Sequence, residues 1–273
     1  MTAQTIVRDL FVYPLKSGRA IPKTRVRLAA TGFEWDRHWM AASPDGVFMS
    51  QRTEPRLALI QPEIGTDALT LRAPEMAALQ VPLQPQGDGR PAEVWKNAIS
   101  ALDQGDEAAA WVSQVIGKEA RLLRISAVLD RHANPQFAGP THAPVSFTDG
   151  FPVLVANLAS LTHLNARMPQ QIGMERFRPN IVLDGLEPFA EDRIGTLHIG
   201  NIALRLVKPC TRCVITSTDQ RTGELSINPL PVLKQFRFDK ALMGVTFAEN
   251  AVIEAGVGET LVRGTGCTVV WDS

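Results

Sequence analysis

The feature that most constrains the fold is a succession of short apolar runs, each cut off within a few residues by proline or glycine. "TIVRDLFVYP" holds Ile6, Leu10 and Val12 in a roughly alternating pattern and closes at Pro14. "TRVRLAA" (24–30) alternates basic and apolar residues. "HWMAAS" and "VFMSQR" flank "PDG" at 44–46, which predicts a hairpin. "RLALIQP" (56–62), "DALTLRAP" (67–74), "PAEVWKN" (91–97) and "ARLLRIS" (120–126) read as further strands. Alternation on this short scale buries one face of each segment. It predicts a mainly β fold with a few helices, built as a barrel or sandwich.

Two helices interrupt the pattern. Over 106–116, Trp111, Val112, Val115 and Ile116 share a face, with Asp106 as the expected N-cap and Gly117 as the stop. The second runs near 158–167, with Leu158, Leu161 and Leu164 as its stripe. Between them, 127–144 has four proline or glycine breaks and reads as a long loop. Strands then return in "FPVLVAN", "NIVLDG", "TLHIG", "IALRLVKP" (202–209), "MGVTFAEN", "VGETLVRG" and "CTVVWD". The seam after the first helix divides the chain into 1–121 and 122–273.

Composition excludes several classes. The 28 basic and 28 acidic residues cancel, so no general nucleic-acid or membrane-surface binder is expected. No run approaches the length of a membrane span, and the N-terminus lacks a signal-peptide pattern. Three cysteines are too few for a disulfide framework, and the expected compartment is the cytoplasm.

Five polar clusters interrupt the strands. In "KPCTRCVITSTDQR" (208–221), Cys210 and Cys213 stand three apart. A structural zinc site needs four ligands, yet only Cys267 remains and the histidines at 38, 132, 142, 163 and 198 are scattered. A redox pair sits at a helix start, but "VITSTD" is β-branched and poor helix material. Two buried, inert thiols remain one reading. The other is that the charges of Lys208 and Arg212 favour thiolate, the form that binds soft metals. In "YPLKSGR" (13–19), Lys16, Ser17 and free backbone N–H groups suit a phosphate, or form a solvated turn. In "GFEWDRHW" (32–39), Asp36 and Arg37 form a local ion pair, or Arg37 points into a polar pocket. In "RFRPNIVLDG" (176–185), Arg178 precedes proline, which predicts an extended backbone, and Arg178 and Asn180 stand at a strand mouth. In "FTDGFP" (147–152), Asp149 is a turn residue or a site residue.

Taken in order, "VYPLKSGR", "DRHWM", "QRTEPRLALI", "FTDGFPVLV", "FRPNIVLDG" and "PCTRCVITSTDQRTGE" resemble the signature stretches of MOSC-domain proteins that carry a MOSC N-terminal β-barrel. This is the family of the mitochondrial amidoxime-reducing component and its bacterial relatives. The resemblance runs from about residue 5 to about residue 265. It implies a β-barrel-like N-terminal lobe, a MOSC domain and a molybdenum cofactor, with Cys213 as the metal's protein ligand. By position it implies that Lys16, Ser17, Arg37, Arg178, Asn180, Thr211 and Arg212 hold the cofactor, and that Asp149 stands close to the open face of the metal, where it is the candidate for relaying a proton. Where two relatives carry Thr and Ser after that aspartate, this chain has Gly150 and Phe151.

The implied reaction is the reduction of N-hydroxylated compounds (hydroxylamines, amidoximes, N-hydroxy bases) to amines. The rival implied by the same resemblance is a non-enzymatic cofactor carrier, because MOSC domains also occur in cofactor sulfuration proteins. Three cysteines cannot ligate an iron–sulfur cluster, which takes four. The expected electron donor is therefore a separate ferredoxin, flavoprotein or b-type haem protein.

Overall fold

A computed structural model describes residues 4–127 and 131–272. The chain is mainly β, as the alternation predicts. The largest sheet has nine strands. Across it run Thr268–Trp271, Ile194–Ile199, Ile202–Thr211, Gly244–Ala255, Val153–Asn157, Ile181–Asp184, Ile6–Val12 and Ile21–Lys23, with Phe238–Asp239 paired onto Gly244–Ala255. Neighbours are antiparallel except Val153–Asn157 and Ile181–Asp184. Parallel strands need a crossover, and the helix Leu158–Asn165 supplies it. A second sheet orders Trp39–Ala42, Arg121–Ile125, Asn97–Asp103 and Asp88–Val94. Two three-stranded sheets complete the fold.

Sequence order and sheet membership do not coincide. The strand Ile6–Val12 pairs with Ile181–Asp184 in the large sheet, and Thr260–Val262 returns to pair with Arg25–Ala29. The first apolar run is therefore buried against the second half of the chain, with Val7, Leu10 and Val12 packed against Val155, Ile181 and Leu183. That pairing delivers the loop after residue 12 to the rim of the large sheet. The helix Asp106–Ile116 buries the expected Trp111, Val112, Val115 and Ile116 in a separate core with Trp39, Leu57 and Ile60.

Three local expectations need correction. Gly105, at φ 90°, holds the helix cap position, and Asp106 makes no cap bond. The Asp106 carboxylate instead accepts from Arg121 at 2.7 Å. Within 56–62 the chain first forms a 3₁₀ turn, Pro55–Leu59, and becomes a strand only at Gln61–Ile64. Pro55 presets the first turn, and Leu57 and Ile60, three apart, both face the core. The loop predicted over 127–144 contains a one-turn helix, Pro135–Ala138, whose Asn134 cap accepts from the Gln136 N–H at 2.9 Å. Residues 128–130 of that loop lie outside the described residues. Among the described residues, no helix is long and apolar enough to cross a membrane.

His38 packs against Trp35 and Trp39, with ring centroids 5.6 and 6.1 Å away. Both its nitrogens are buried without a hydrogen-bond partner. Burial, aided by the Arg124 charge, pushes its pKa down to about 4. The unfolded chain takes up this proton near pH 6.5 and the folded chain does not. The contribution is thus complete above pH 6.5 and is lost as pH falls toward 4. Between pH 7 and pH 5 the loss is about 2 kcal/mol. Urea unfolding at the two pH values should show this loss in the wild type, and a His38→Phe variant should lack it.

Candidate functional site

The loop that follows Ile6–Val12 is pinned by backbone bonds to Trp39. The Lys16 N–H donates to Trp39 O at 2.7 Å, and the Trp39 N–H donates to Pro14 O at 3.0 Å. Lys16 is buried, and its ammonium donates to Phe147 O at 2.9 Å and to the Asp149 carboxylate. Burial pulls the Lys16 pKa down, and Asp149 opposes that pull. Ser17 sits at φ 67°, with Gln51 bonding both its carbonyl (2.6 Å) and its hydroxyl oxygen (3.3 Å). The Ser17 hydroxyl proton is left to donate.

Arg37 both forms the local ion pair and faces a pocket. Its guanidinium pairs with Asp36, donates to Arg178 O at 3.1 Å and stacks 4.2 Å from the Tyr13 ring centroid. Arg178 stacks on the same ring at 4.4 Å and donates to Gly18 O at 2.7 Å. Its backbone is not extended, as its place before proline predicts, but left-handed at φ 57°. Pre-proline sterics chiefly exclude the right-handed helical region, so the left-handed well remained open. Desolvation, reinforced by the neighbouring Arg37 charge, lowers the Arg178 pKa to about 10. It therefore stays charged at neutral pH, at a cost that a bound anion would relieve.

The two cysteines of the C-x-x-C stretch differ. Cys210 Sγ accepts from Arg212 Nη1 at 2.8 Å, and burial pushes its pKa up against the pull of Arg212. Cys213 begins the 3₁₀ turn Val214–Ser217, and its thiol has no hydrogen-bond partner among the described residues. All three cysteines are free. The Arg212 guanidinium donates to Phe177 O at 2.8 Å.

These segments enclose one open cleft. Lys16, Ser17, Arg37, Asp149, Arg178, Asn180, Thr211, Arg212 and Cys213, the residues singled out in the sequence, all line it, as does Cys210. Asn180 offers least. Its amide oxygen accepts the Leu154 N–H at 3.1 Å and its nitrogen donates to Phe11 O at 3.3 Å, so it stitches strands together at the cleft floor.

The sequence reading missed Arg52, Trp95 and Thr148, which also line the cleft. Arg52 lay within the quoted "QRTEPRLALI" and Thr148 within "FTDGFP", each masked by a more conspicuous neighbour. Trp95 sat in a strand pattern that gave no polar cue.

The MOSC N-terminal beta barrel domain matches residues 4–119, and the MOSC domain matches residues 142–263. Human mitochondrial amidoxime reducing component 2 is 33% identical over 278 residues, covering 94% of this chain and 83% of the relative. The chain belongs to the MOSC family. Mouse mitochondrial amidoxime-reducing component 1 is 32% identical over 87% of this chain and 74% of its own length. The molybdenum cofactor sulfurase of Danio rerio is 31% identical over 89% of this chain, which corresponds to 32% of that longer protein.

The cleft of this MOSC chain suits an anion. Five cations (Lys16, Arg37, Arg52, Arg178 and Arg212) face one carboxylate, Asp149. Arg178 Nη2 and Arg212 Nε are buried donors without partners, as is the Thr148 hydroxyl. A buried donor left unpaired costs roughly 1–3 kcal/mol, and more when charged. The backbone is strained at the same place. Of ten described non-glycine residues at positive φ, four (Ser17, Arg37, Trp95 and Arg178) line the cleft. Such strain persists where the surroundings over-determine it, typically at ligand sites.

No described cluster of three or more His, Cys, Asp or Glu could hold a bare metal ion. A metal arriving with its own chelator would need only the Cys213 thiol. An anionic metal-pterin phosphate therefore fits the residues present. Inorganic phosphate should raise the melting temperature of the cofactor-free protein. Binding worth ~1 kcal/mol corresponds to roughly 2–4 °C for a chain of this size. Thermal shift measurements on Arg178→Ala should show little of that increment, whatever the variant's starting stability.

Proposed function

We propose that this MOSC protein is a molybdenum-cofactor-dependent reductase that converts N-hydroxylated compounds to amines. One observation carries the reading: two buried, unpaired guanidinium nitrogens share a cleft with an unengaged thiol. Reduction of an N-hydroxylamine to an amine and water consumes two electrons and two protons. When bound, the cofactor supplies the two-electron, oxygen-accepting chemistry. The protein supplies ligation and charge. Cys213 would ligate the metal, while Lys16, Ser17, Arg37, Arg178 and Arg212 hold the phosphate, aided by Thr211, and Asn180 braces the strands beneath them. Each charge-assisted contact is worth roughly 1.5–3 kcal/mol. Five such groups would give a chain of zero net charge a firm hold on an anion.

Asp149 is poorly placed to relay a proton. The cleft walls disfavour its ionisation, but the Lys16 ammonium and the Trp95 N–H outweigh them and hold its carboxyl well below the usual range. A general acid works best with a pKa near the operating pH. Asp149 therefore serves as a fixed anion and acceptor. Electrons would come from a separate ferredoxin, flavoprotein or b-type haem protein, in a reducing cytoplasm that suits three free cysteines.

The second reading is a cofactor carrier, favoured by the match to the sulfurase from Danio rerio. Protein purified from a molybdenum-replete host separates them. Metal and pterin should co-purify, and the loaded protein should reduce an N-hydroxylated base with a reduced viologen dye as electron donor. Full loading without turnover supports the carrier, and absence of molybdenum rejects both. Cys213→Ala should abolish metal retention, whereas Cys210→Ala should weaken it by about tenfold at most, the scale of a supporting neighbour. Equal loss from both would overturn the assignment of the ligand.

A further inference from the structure

Val94 and Asn97 pair directly, so Trp95 and Lys96 form the whole turn between two strands. Their φ angles are 52° and 66°. A turn of this hand needs positive φ at both central positions and is normally filled by asparagine and glycine. Here a tryptophan and a lysine hold it. Trp95 is fixed by three contacts. Its indole N–H donates to Asp149 Oδ1 at 2.9 Å, the Arg52 guanidinium lies 4.2 Å from its ring centroid, and the Phe48 ring packs at 4.8 Å. Even so, 36% of Trp95 remains exposed.

Lys16 and Trp95 both donate to the same oxygen of Asp149, Oδ1. Among the described residues no donor occupies Oδ2. The Asp149 side chain is 70% exposed because it faces the open cleft. A carboxylate oxygen accepts only, and it discriminates by whether a ligand brings N–H or O–H donors. An exposed indole beside it offers a flat apolar surface to an aromatic head.

We infer that Trp95 is a positioning residue that turns Asp149 Oδ2 toward the cleft, and that the two form a specificity wall for planar substrate heads bearing N–H donors. The inference deepens the reductase reading and rests on it for the reaction, though binding to the wall can be measured without turnover. Heads of the hydroxyamidine type would be held, whereas tertiary amine N-oxides, which have no donor, would not.

Calorimetry with benzamidine and N-methylpyridinium, two flat cations with and without N–H donors, tests the wall in both cofactor-free and loaded protein. Benzamidine should bind about tenfold more tightly, the value of one charge-assisted bond. Trp95→Phe, which keeps the ring but removes the donor, should erase that preference and leave N-methylpyridinium within about twofold, whereas Asp149→Asn, which also removes the charge, should erase the preference and weaken both cations. Lys96→Gly, which suits the turn, should keep it. In loaded enzyme, Trp95→Phe should raise KM for an aryl hydroxyamidine about tenfold with kcat nearly unchanged. Equal binding of the two probes by the wild type, no effect of Trp95→Phe, or a fall in kcat alone would overturn the inference. Selective benzamidine binding by a loaded protein that reduces nothing would instead reject the reductase reading and leave the wall standing.

Discussion

The site depends on one buried carboxylate. Asp36 is fully buried, accepts the Tyr13 backbone N–H at 2.8 Å and pairs with Arg37. Its own carbonyl accepts the Ser146 hydroxyl at 2.7 Å, and the Arg37 carbonyl accepts the Phe147 N–H at 3.0 Å. Two consecutive residues thus tie the loop after the first strand to the segment that carries Asp149. Arg131, itself buried, completes the hold by donating to the carbonyls of Ser146, Thr148 and Asp149. Removing one partner of a buried ion pair typically costs 3–5 kcal/mol. Here the same loss would also release Lys16 and Asp149 from their fixed places.

Around that anchor, the chain holds like charges close together. Arg37 and Arg178 stack on the single tyrosine, whose hydroxyl burial keeps protonated. The ring's quadrupole offsets some of their repulsion, and Asp36 offsets more. The remainder is stored as unpaired donors and positive φ angles. These features lower stability in the absence of ligand and strengthen binding when an anion arrives, because little reorganisation is then needed.

Much of this was legible in the sequence, for physical reasons that differ by region. Strand alternation reported burial directly, so the sheets followed from Ile6–Val12 onward. The 3₁₀ turn at 55–59 was hidden because Leu57 and Ile60 satisfy both a strand-like run and a three-residue period. The polar clusters marked the cleft because Lys16, Arg37 and Arg178 are costly to bury and stood out within apolar stretches. Trp95 carried no such signal. An aromatic residue in a strand reads as packing, and only the three-dimensional approach of residue 149 to residue 95 shows its N–H at work. The left-handed backbone of Arg178 was equally illegible, because its place before proline favours the extended region.

The contrast between the cysteines follows from the same logic. Strand Ile202–Thr211 ends between them, so Cys210 lies in the sheet and Cys213 in the turn that follows. The Arg212 backbone N–H is fixed to Val245 O at 2.7 Å, and its guanidinium folds back onto Cys210. That bond occupies one thiol and presents the other to the cleft with cationic surroundings but no donor of its own. The Cys213 sulfur thus keeps its lone pairs free, whereas that of Cys210 accepts from Arg212. The spacing of three places Cys210 within the strand and Cys213 just beyond its end, and both line the cleft.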